Sequence, residues 1–305
     1  MNFPMPDLWL LVTFAAAIFQ TLRFMLQKML ATATLSPTGA TFARFLYSAP
    51  LVALIVAIYL LRTDQTLPPL TAQFWGYALS GGLAQIIATI CVVTLFKSRN
   101  FIVGVTLMKT EVILSVVIGL MLLGEGVSWP AFGAIALGLG GVLLLSTPPD
   151  VVGWRWQDMW NRGVGLGLAS GTLFAVSAVS YRGASLEILH DDPLLRAGVT
   201  LSVVTGAQMI AMAAWLLWRD APQIRAVWAA RRVAGWIGLL SMAGSYGWFL
   251  AFTLQTAAYV KAVGQVELVF SLLASVLFFR EKPSLRELAG VSVLCLSILT
   301  LVLLI

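Results

Sequence analysis

Ionisable side chains interrupt several apolar stretches of this sequence. Lys109 and Glu111 lie within TLMKTEVILSVVIGLMLLGEGVS (residues 106–128), and Arg23 and Arg44 have similarly apolar neighbours. An ionised side chain is costly in hydrocarbon, so each of these residues must face protein or water. There it can pair with an opposite charge, contact a small charged substrate or carry a proton. The residue types therefore indicate binding or transport chemistry within a membrane.

The sequence offers little for covalent or metal catalysis. The only histidine, His190, lies in a connection beside Asp191 and Asp192, and no HExxH or GxSxG motif or metal-ligand cluster occurs. An enzyme would need a nucleophile with a base, or a metal site. Cys91 and Cys295 both lie in apolar runs, which is not typical of a disulfide framework or a metal centre. We expect no enzyme activity, no cofactor and no metal.

Composition identifies the surroundings of these residues as a membrane. Sixty per cent of the 305 residues are hydrophobic and only 10% are charged, and the mean hydropathy is +0.93. These values are typical of a polytopic membrane protein. A spanning helix needs about 20 mainly apolar residues. Ten runs have about this length, at approximately 8–30, 38–61, 72–96, 101–123, 127–147, 163–187, 194–218, 233–257, 261–279 and 284–304.

The sequence contains one pattern twice. Identical residues recur 156 positions apart, as Glu111 and Glu267, Ser115 and Ser271, Glu125 and Glu281, Ser128 and Ser284, Pro37 and Pro193, and Phe96 and Phe252. Such a duplication is typical of transporters built from two repeats. The predicted repeats are 1–147 and 163–305, joined by a connection at 148–162. Because five spans are an odd number, we expect an all-α integral membrane protein with two inverted five-helix repeats around a central cavity.

Lysine and arginine are distributed unequally between the connections. The side reached after the odd-numbered spans would hold twelve of them, and the other side would hold four. The positive-inside rule makes the first side cytoplasmic and places both termini outside. Anionic lipid headgroups, rather than nucleic acid, explain the net charge of +6. We expect a multi-pass protein of the plasma (inner) membrane that contacts lipids and could form a homodimer.

Several polar side chains are predicted to reach similar depths in the membrane. At about 1.5 Å per residue, Arg23 and Arg44 would lie roughly 10 Å below the cytoplasmic side, Lys109 about 12 Å and Glu111 about 15 Å. The inverted repeat supplies charged residues from the opposite side. The residues that we predict to bind substrate are Arg23, Arg44, Gln85, Lys109, Glu111, Tyr246, Trp248, Gln265 and Glu267.

Structural roles for the same residues stay open. Arg23 and Arg44 could pair with Glu111 to hold helices together, and the duplicated glutamates could make helix-packing hydrogen bonds. Glu125 and Glu281, at span ends, are expected to act as local caps. Four cations near span ends are expected to extend towards the membrane surface, namely Lys28, Arg182, Arg196 and Lys261.

The motif around these glutamates resembles a known family. Leu122-Leu123-Gly124-Glu125, followed by Phe132-Gly133-Ala134, is similar to the helix 4 and 5 signature of the EamA-like drug/metabolite transporter superfamily. The second copy, from Glu267 to Leu288-Ala289-Gly290, is similar as well. Val112 and Leu268 stand where the family often has proline. Many relatives have both termini in the cytoplasm, whereas the charges of this sequence place them outside. The resemblance implies a ten-helix carrier with a central cavity and alternating access.

Charge and aromatic content narrow the expected substrate. An excess of cations around the cavity favours a carboxylate or another anionic group, and aromatic side chains could receive an apolar or cationic part. We therefore expect transport of a small polar or amphiphilic metabolite, best represented by an amino acid or a related carboxylate or zwitterion. Glu111 or Glu267 could carry a coupling proton. A lipid flippase or scramblase is the main alternative, and a channel is a further one.

Overall fold

The computed structural model describes residues 5–33, 35–95, 107–146, 162–279 and 284–304. Within these ranges all of the regular structure is helical. The helices of the first half are α1 (Met5–Ala33), α2 (Pro37–Thr63), α3 (Ala72–Leu95), α4 (Glu111–Leu123) and α5 (Trp129–Ser146). Those of the second half are α6 (Arg162–Leu186), α7 (Pro193–Arg219), α8 (Pro222–Ala229), α9 (Arg231–Leu254), α10 (Ala257–Gly264), α11 (Val266–Phe279) and α12 (Leu285–Leu304).

Seven of the described helices are long and apolar enough to cross a membrane, namely α1, α2, α3, α6, α7, α9 and α12. The shorter helices α4 and α5 are also apolar. The chain is therefore a multi-pass membrane protein. The predicted count of ten spans is not confirmed. Residues 101–106 of the fourth predicted span and most of the predicted connection at 148–162 lie outside the described residues, and α10 and α11 divide the ninth span.

The helix starts reflect capping signals that the two halves share. Ser36 precedes Pro37, and its hydroxyl accepts a hydrogen bond from the backbone N–H of Gly39 at 3.0 Å. Asp192 precedes Pro193 in the same way and accepts from the backbone N–H of Leu194 at 2.8 Å. Proline at the first helical position lacks an N–H that would have no partner in the helix. These local signals are why the starts of α2 and α7 follow the sequence closely.

A short turn precedes α4, and an equivalent turn separates α10 from α11. The backbone N–H of Val112 bonds to the carbonyl of Lys109, and that of Leu268 bonds to the carbonyl of Gln265. Both are tight i to i−3 bonds, as in a 3₁₀ turn, and they lie 156 positions apart. Mid-helix turns of this kind often mark hinges. Although Val112 and Leu268 replace the proline of the family pattern, a turn interrupts the helix at both positions.

Corresponding helices of the two halves lie side by side. The hydroxyl of Tyr59, near the end of α2, donates to the carboxylate of Asp192 at 2.5 Å, just before the start of α7. One turn earlier on α2, Val56 packs against Gly198, which lies later on α7. Residue numbers therefore rise along α2 as they fall along α7. The two helices are antiparallel although they occupy the same position in their repeats.

The last helix of each half forms a second antiparallel pair, α5 with α12. The hydroxyl of Ser297 donates to the carbonyl of Ala134 at 2.6 Å, and Gly141 faces Gly290. A Cβ atom added at Gly141 would lie 2.9 Å from the carbonyl oxygen of Gly290, so glycine is required for this approach. Two further extensive contacts also join the halves, since α3 packs along α6 and α1 packs along α9.

Candidate functional site

One cavity, here called the central cavity, collects side chains from both halves of the chain. The space within it that water can reach is about 40 Å³, and the wider space between its walls, open mouth included, is about 560 Å³. Its lining comes from α1–α4, α6, α9, α10 and α11 and from Met108. The lining residues are Gln20, Arg23, Phe24, Arg44, Gln85, Met108, Glu111, Phe174, Ser177, Ala178, Tyr181, Ser245, Trp248, Phe249, Phe252, Lys261 and Glu267.

The structure brings together six of the nine residues that the sequence singled out. Arg23, Arg44, Gln85, Glu111, Trp248 and Glu267 line the central cavity. Lys109 and Gln265 lie outside it and line a smaller cavity between the halves, together with Val112, Ile135, Gly138, Leu139, Val142, Ala262 and Ser297. Substrate binding by these residues stays a prediction.

Tyr246 lines neither of these cavities, so grouping it with Trp248 was wrong. Its hydroxyl donates to the backbone carbonyl of Leu194 at 3.1 Å, and its ring packs near Gly198 of α7. Two residues along a helix are separated by about 200° of rotation. Tyr246 therefore faces α7 while Trp248 faces the central cavity.

Two ion pairs near the central cavity cross from one half of the chain to the other. The ammonium group of Lys261 lies 3.0 Å from the carboxylate of Glu111. Lys109 pairs with Glu267, and the side-chain amide of Gln20 also donates to Glu267, at 2.6 Å. Each glutamate occupies the first turn of its helix, α4 or α11, where the helix dipole favours a negative charge. Each carboxylate thus belongs to one repeat and its lysine to the other.

Lys261 does not extend to the membrane surface as predicted. The ninth span was placed at 261–279, which put this lysine at a helix end, whereas α10 begins at Ala257. Lys261 therefore lies one turn further along a helix, with its ammonium 5.6 Å from the ring of Phe174 and 5.3 Å from that of Trp248. The apolar run before it, Ala257–Val260, was the sequence signal for this position.

Other cations near span ends also have specific partners. Arg182 lies 2.6 Å from the carboxylate of Glu125 and donates to the backbone carbonyl of Phe252 at 2.8 Å. Glu125 is therefore one partner of a third ion pair between the halves, and Gly124, with φ of 68°, ends α4. Arg196 donates to the carbonyl of Ser185 at 2.9 Å. Lys28 is exposed. The other predicted cap, Glu281, lies outside the described residues.

The two arginines of the central cavity contact neutral acceptors. Arg44 donates to the hydroxyls of Ser245 at 3.1 Å and Thr89 at 3.4 Å. Arg23 donates to the side-chain oxygen of Gln27 at 3.0 Å. Both residues are buried, with 4% and 5% of their surface exposed. Within the part of the chain that the structure describes, none of these hydrogen bonds involves a carboxylate, and Glu111 pairs with Lys261 instead.

Tyr181 is a cavity residue that the sequence analysis missed. Its ring stacks on Phe249 with centroids 4.3 Å apart, and its hydroxyl donates to the side-chain oxygen of Gln85 at 3.1 Å. Gln208 donates to the same oxygen from α7 at 3.0 Å. Ser177, one turn before Tyr181, also lines the cavity. The spacing of Ser177 and Tyr181 by four residues, on one face of a helix, was the available signal.

These features suit reversible binding of a charged molecule inside a membrane. Across the described ranges, no group of three or more histidine, cysteine, aspartate or glutamate side chains is arranged to hold a metal ion. Helices from both halves surround the central cavity, and ion pairs cross between the halves beside it. This arrangement is typical of membrane transport proteins.

Comparison with known proteins assigns the family. The chain belongs to the EamA-like transporter family, which matches residues 7–147 and again residues 161–303. Among curated proteins, none matches the chain. A solved structure described only as the crystal structure of a protein superposes with a TM-score of 0.66 at 17% identity, covering 95% of this chain and 99% of the other. At that identity the similarity shows a shared fold and nothing more.

Proposed function

We propose that this protein is a secondary transporter that moves a small polar or amphiphilic metabolite across the membrane by alternating access. An amino acid or a related carboxylate or zwitterion is the expected substrate class. The observation that carries this proposal is that buried charged side chains from both halves line one cavity. Intramembrane charges placed in this way are typical of substrate and ion pathways.

The proposal includes ten spans arranged as two inverted five-helix repeats. The antiparallel packing of α2 with α7 and of α5 with α12 supports it, because these helices hold equivalent positions in the two halves. Inverted repeats give a carrier two nearly equivalent conformations, one open to each side of the membrane. The turns at Lys109 and Gln265 are suitable hinges for the change between these two conformations.

Alternating access needs contacts between the halves that can break and form again. The Lys261–Glu111 pair is such a contact, because it joins the halves and also lines the central cavity. A substrate anion that approaches Lys261 would compete with Glu111 for its ammonium group. Binding would thereby weaken one contact between the halves and favour their rearrangement.

Coupling to protons forms part of the proposal. Glu111 and Glu267 are the buried carboxylates of the central cavity, and protonation of either one would break its ion pair with lysine. The test is uptake driven by a pH gradient in Glu111→Gln and Glu267→Gln. If both variants transport as the unaltered protein does across that gradient, proton coupling through these residues is excluded.

Counterflow in liposomes tests the transporter itself. Purified protein is reconstituted with an unlabelled amino acid or carboxylate inside the vesicles, and entry of the labelled compound is followed. Saturable counterflow above that of protein-free vesicles is the expected result. Single-channel currents would instead indicate a channel. Redistribution of fluorescent lipids between the leaflets, without counterflow, would support a lipid flippase or scramblase.

We also propose a location in the plasma (inner) membrane with both termini outside. The unequal distribution of lysine and arginine between the connections supports this orientation. The test is labelling of single introduced cysteines by an impermeant thiol reagent on intact cells, in a chain whose Cys91 and Cys295 have been replaced. The proposal places Arg62, after the second span, outside together with both termini. Labelling at the termini but not at position 62 would therefore contradict it. Labelling at all three positions is expected.

A further inference from the structure

We propose that the central cavity selects substrates that carry two negative charges, a dicarboxylate or a phosphomonoester with a small apolar body, and that Arg23 and Arg44 receive those charges. This inference rests on the proposed transport function and narrows its substrate class. The charged side chains of the cavity fall into two groups, those in ion pairs and those without an opposite charge as partner.

The first group is neutral overall. Each carboxylate of the cavity has a lysine partner, since Glu111 pairs with Lys261 and Glu267 with Lys109. Glu267 also accepts from the amide of Gln20. The ammonium group of a zwitterion would therefore have to displace a lysine to reach either carboxylate. In this conformation the cavity offers no uncommitted anion among the residues described.

The second group is positive. The guanidinium groups of Arg23 and Arg44 bond to hydroxyl and amide oxygens, which carry no formal charge. Two like charges in a largely buried site repel each other and lose much of their hydration. A single anion would offset half of this charge, and a dianion would offset all of it. The planar guanidinium also matches the geometry of carboxylate and phosphate oxygens.

The arginines also differ from the duplicated part of the site. The glutamates recur 156 positions apart, as Glu111 and Glu267, whereas the positions equivalent to Arg23 and Arg44 hold Val179 and Thr200. The repeated carboxylates are thus a common element of both halves. The guanidinium groups belong to the first half alone, which is expected of residues that serve one asymmetric ligand.

The remaining lining fits an apolar ligand body with polar ends. Phe24, Phe174, Phe249 and Phe252 contribute rings to the cavity wall. The indole N–H of Trp248 is buried and has no acceptor among the described residues. Because Trp248 lines the cavity, this N–H is a candidate donor to an oxygen of the ligand.

Ligand-induced thermal stabilisation of the purified protein in detergent tests the inference. The probes form two pairs of similar size that differ in charge. Succinate is compared with butyrate, and phenyl phosphate with phenylalanine. A ligand that binds the folded state raises the Tm with concentration. We expect succinate or phenyl phosphate to bind at least tenfold more tightly than butyrate and phenylalanine. The preferred probe of the two separates a dicarboxylate site from a phosphate site.

Three variants and one control connect the preference to the arginines. Arg23→Gln and Arg44→Gln should each weaken dianion binding at least tenfold and reduce the preference over butyrate. Tyr246→Phe, outside the cavity, should leave binding unchanged. Arg44→Lys keeps the charge without the planar donor pair and should give an intermediate loss. The probe series on the unaltered protein remains decisive if a variant does not fold.

The outcomes separate this inference from the function on which it rests. Phenylalanine or butyrate binding as tightly as the dianions would overturn the inference, and so would the absence of stabilisation by both dianions. Dianion binding that persists in the Arg23→Gln/Arg44→Gln double variant would overturn the assignment to the arginines. Counterflow of a zwitterion alone would preserve the transporter while removing the dianion preference. Dianion binding without counterflow would remove the transporter while preserving the site.

Discussion

The two lysine–glutamate pairs at the centre of the molecule have the same chemistry and different surroundings. Lys109, which pairs with Glu267, has 2% of its side chain exposed and lies beside Val112, Ile135 and Val142 in the smaller cavity. The side chain of Lys261 is 11% exposed and faces the central cavity with its partner Glu111. Glu267 lines the central cavity as well, so the two pairs differ at their lysines: Lys109 has apolar neighbours, whereas Lys261 can meet water and substrate.

From this difference we expect the two repeats to use the shared carboxylate position for two purposes. Forming a buried ion pair costs desolvation free energy. Removing one partner costs more, because the remaining charge then has neither its partner nor water. We therefore expect the Lys109–Glu267 pair to act mainly as a structural contact that holds α11 to the turn before α4. The Lys261–Glu111 pair can exchange its partners with a ligand at a lower free-energy cost.

The largest expected effect is loss of stability when the buried pair is broken. Lys109→Met leaves the carboxylate of Glu267 buried without its lysine, so we expect the free energy of unfolding to fall by about 3–5 kcal/mol. The measurement is chemical unfolding in mixed micelles. The Lys109→Met/Glu267→Gln double variant should recover most of the loss, because both charges are then absent.

Arg62→Met, at an exposed position at the end of α2, is the control for removal of a cation. It should change the unfolding free energy by less than about 0.5 kcal/mol. Equal destabilisation by Lys109→Met and Arg62→Met would show that the buried pair does not stabilise the fold. The comparison between the two pairs would then lose its basis.

The next effect concerns transport. Lys261→Met removes the cavity-facing ammonium, so we expect the initial rate of counterflow to fall at least about tenfold, the equivalent of about 1.4 kcal/mol. Its unfolding free energy should fall as well, because Glu111 then remains in the cavity without its lysine. A Lys261→Met variant that keeps its transport rate would contradict the assignment of ligand exchange to this pair.

A charge exchange should sharpen the same comparison. Lys261→Glu combined with Glu111→Lys restores an ion pair between α10 and α4 with the opposite polarity. We expect the double variant to recover Tm relative to each single variant, whereas transport should recover less. The physical reason is that residue 261 lies against the faces of Phe174 and Trp248, which attract a cation and repel a carboxylate. Full recovery of transport would mean that only the contact between the halves matters.

The sequence predicted the elements of the site better than their partners. Pro37 and Pro193 lie at helix starts, next to the predicted span starts at 38 and 194, because capping is a local property. Arg23, Arg44 and Glu111, which were predicted at similar depths from the helical rise, line one cavity. The partners of Glu111 and Glu267 could not be predicted in this way. Each glutamate meets a lysine of the other half, and that meeting depends on how two distant segments pack.

Errors at single positions had local causes. A misplaced helix start put Lys261 at the membrane surface, although four apolar residues precede it within the helix. Tyr246 was grouped with Trp248 because both are aromatic residues of one span, whereas the helical rotation between them sends Tyr246 to α7. Apolarity all around a helix of a membrane protein leaves its cavity-facing side difficult to predict from periodicity alone.

The smallest effect is expected at the third ion pair, Arg182–Glu125, which also crosses between the halves. Its side chains are more exposed, at 12% and 21%, and Arg182 keeps the backbone carbonyl of Phe252 as an acceptor when the carboxylate is removed. Glu125→Gln should therefore lower the unfolding free energy by no more than about 1 kcal/mol, as for other solvent-accessible pairs. Counterflow should proceed at the unaltered rate, because neither residue lines the central cavity. A transport loss as large as that of Lys261→Met would show that any ion pair between the halves controls their exchange. The position of Lys261 at the cavity would then have no special role.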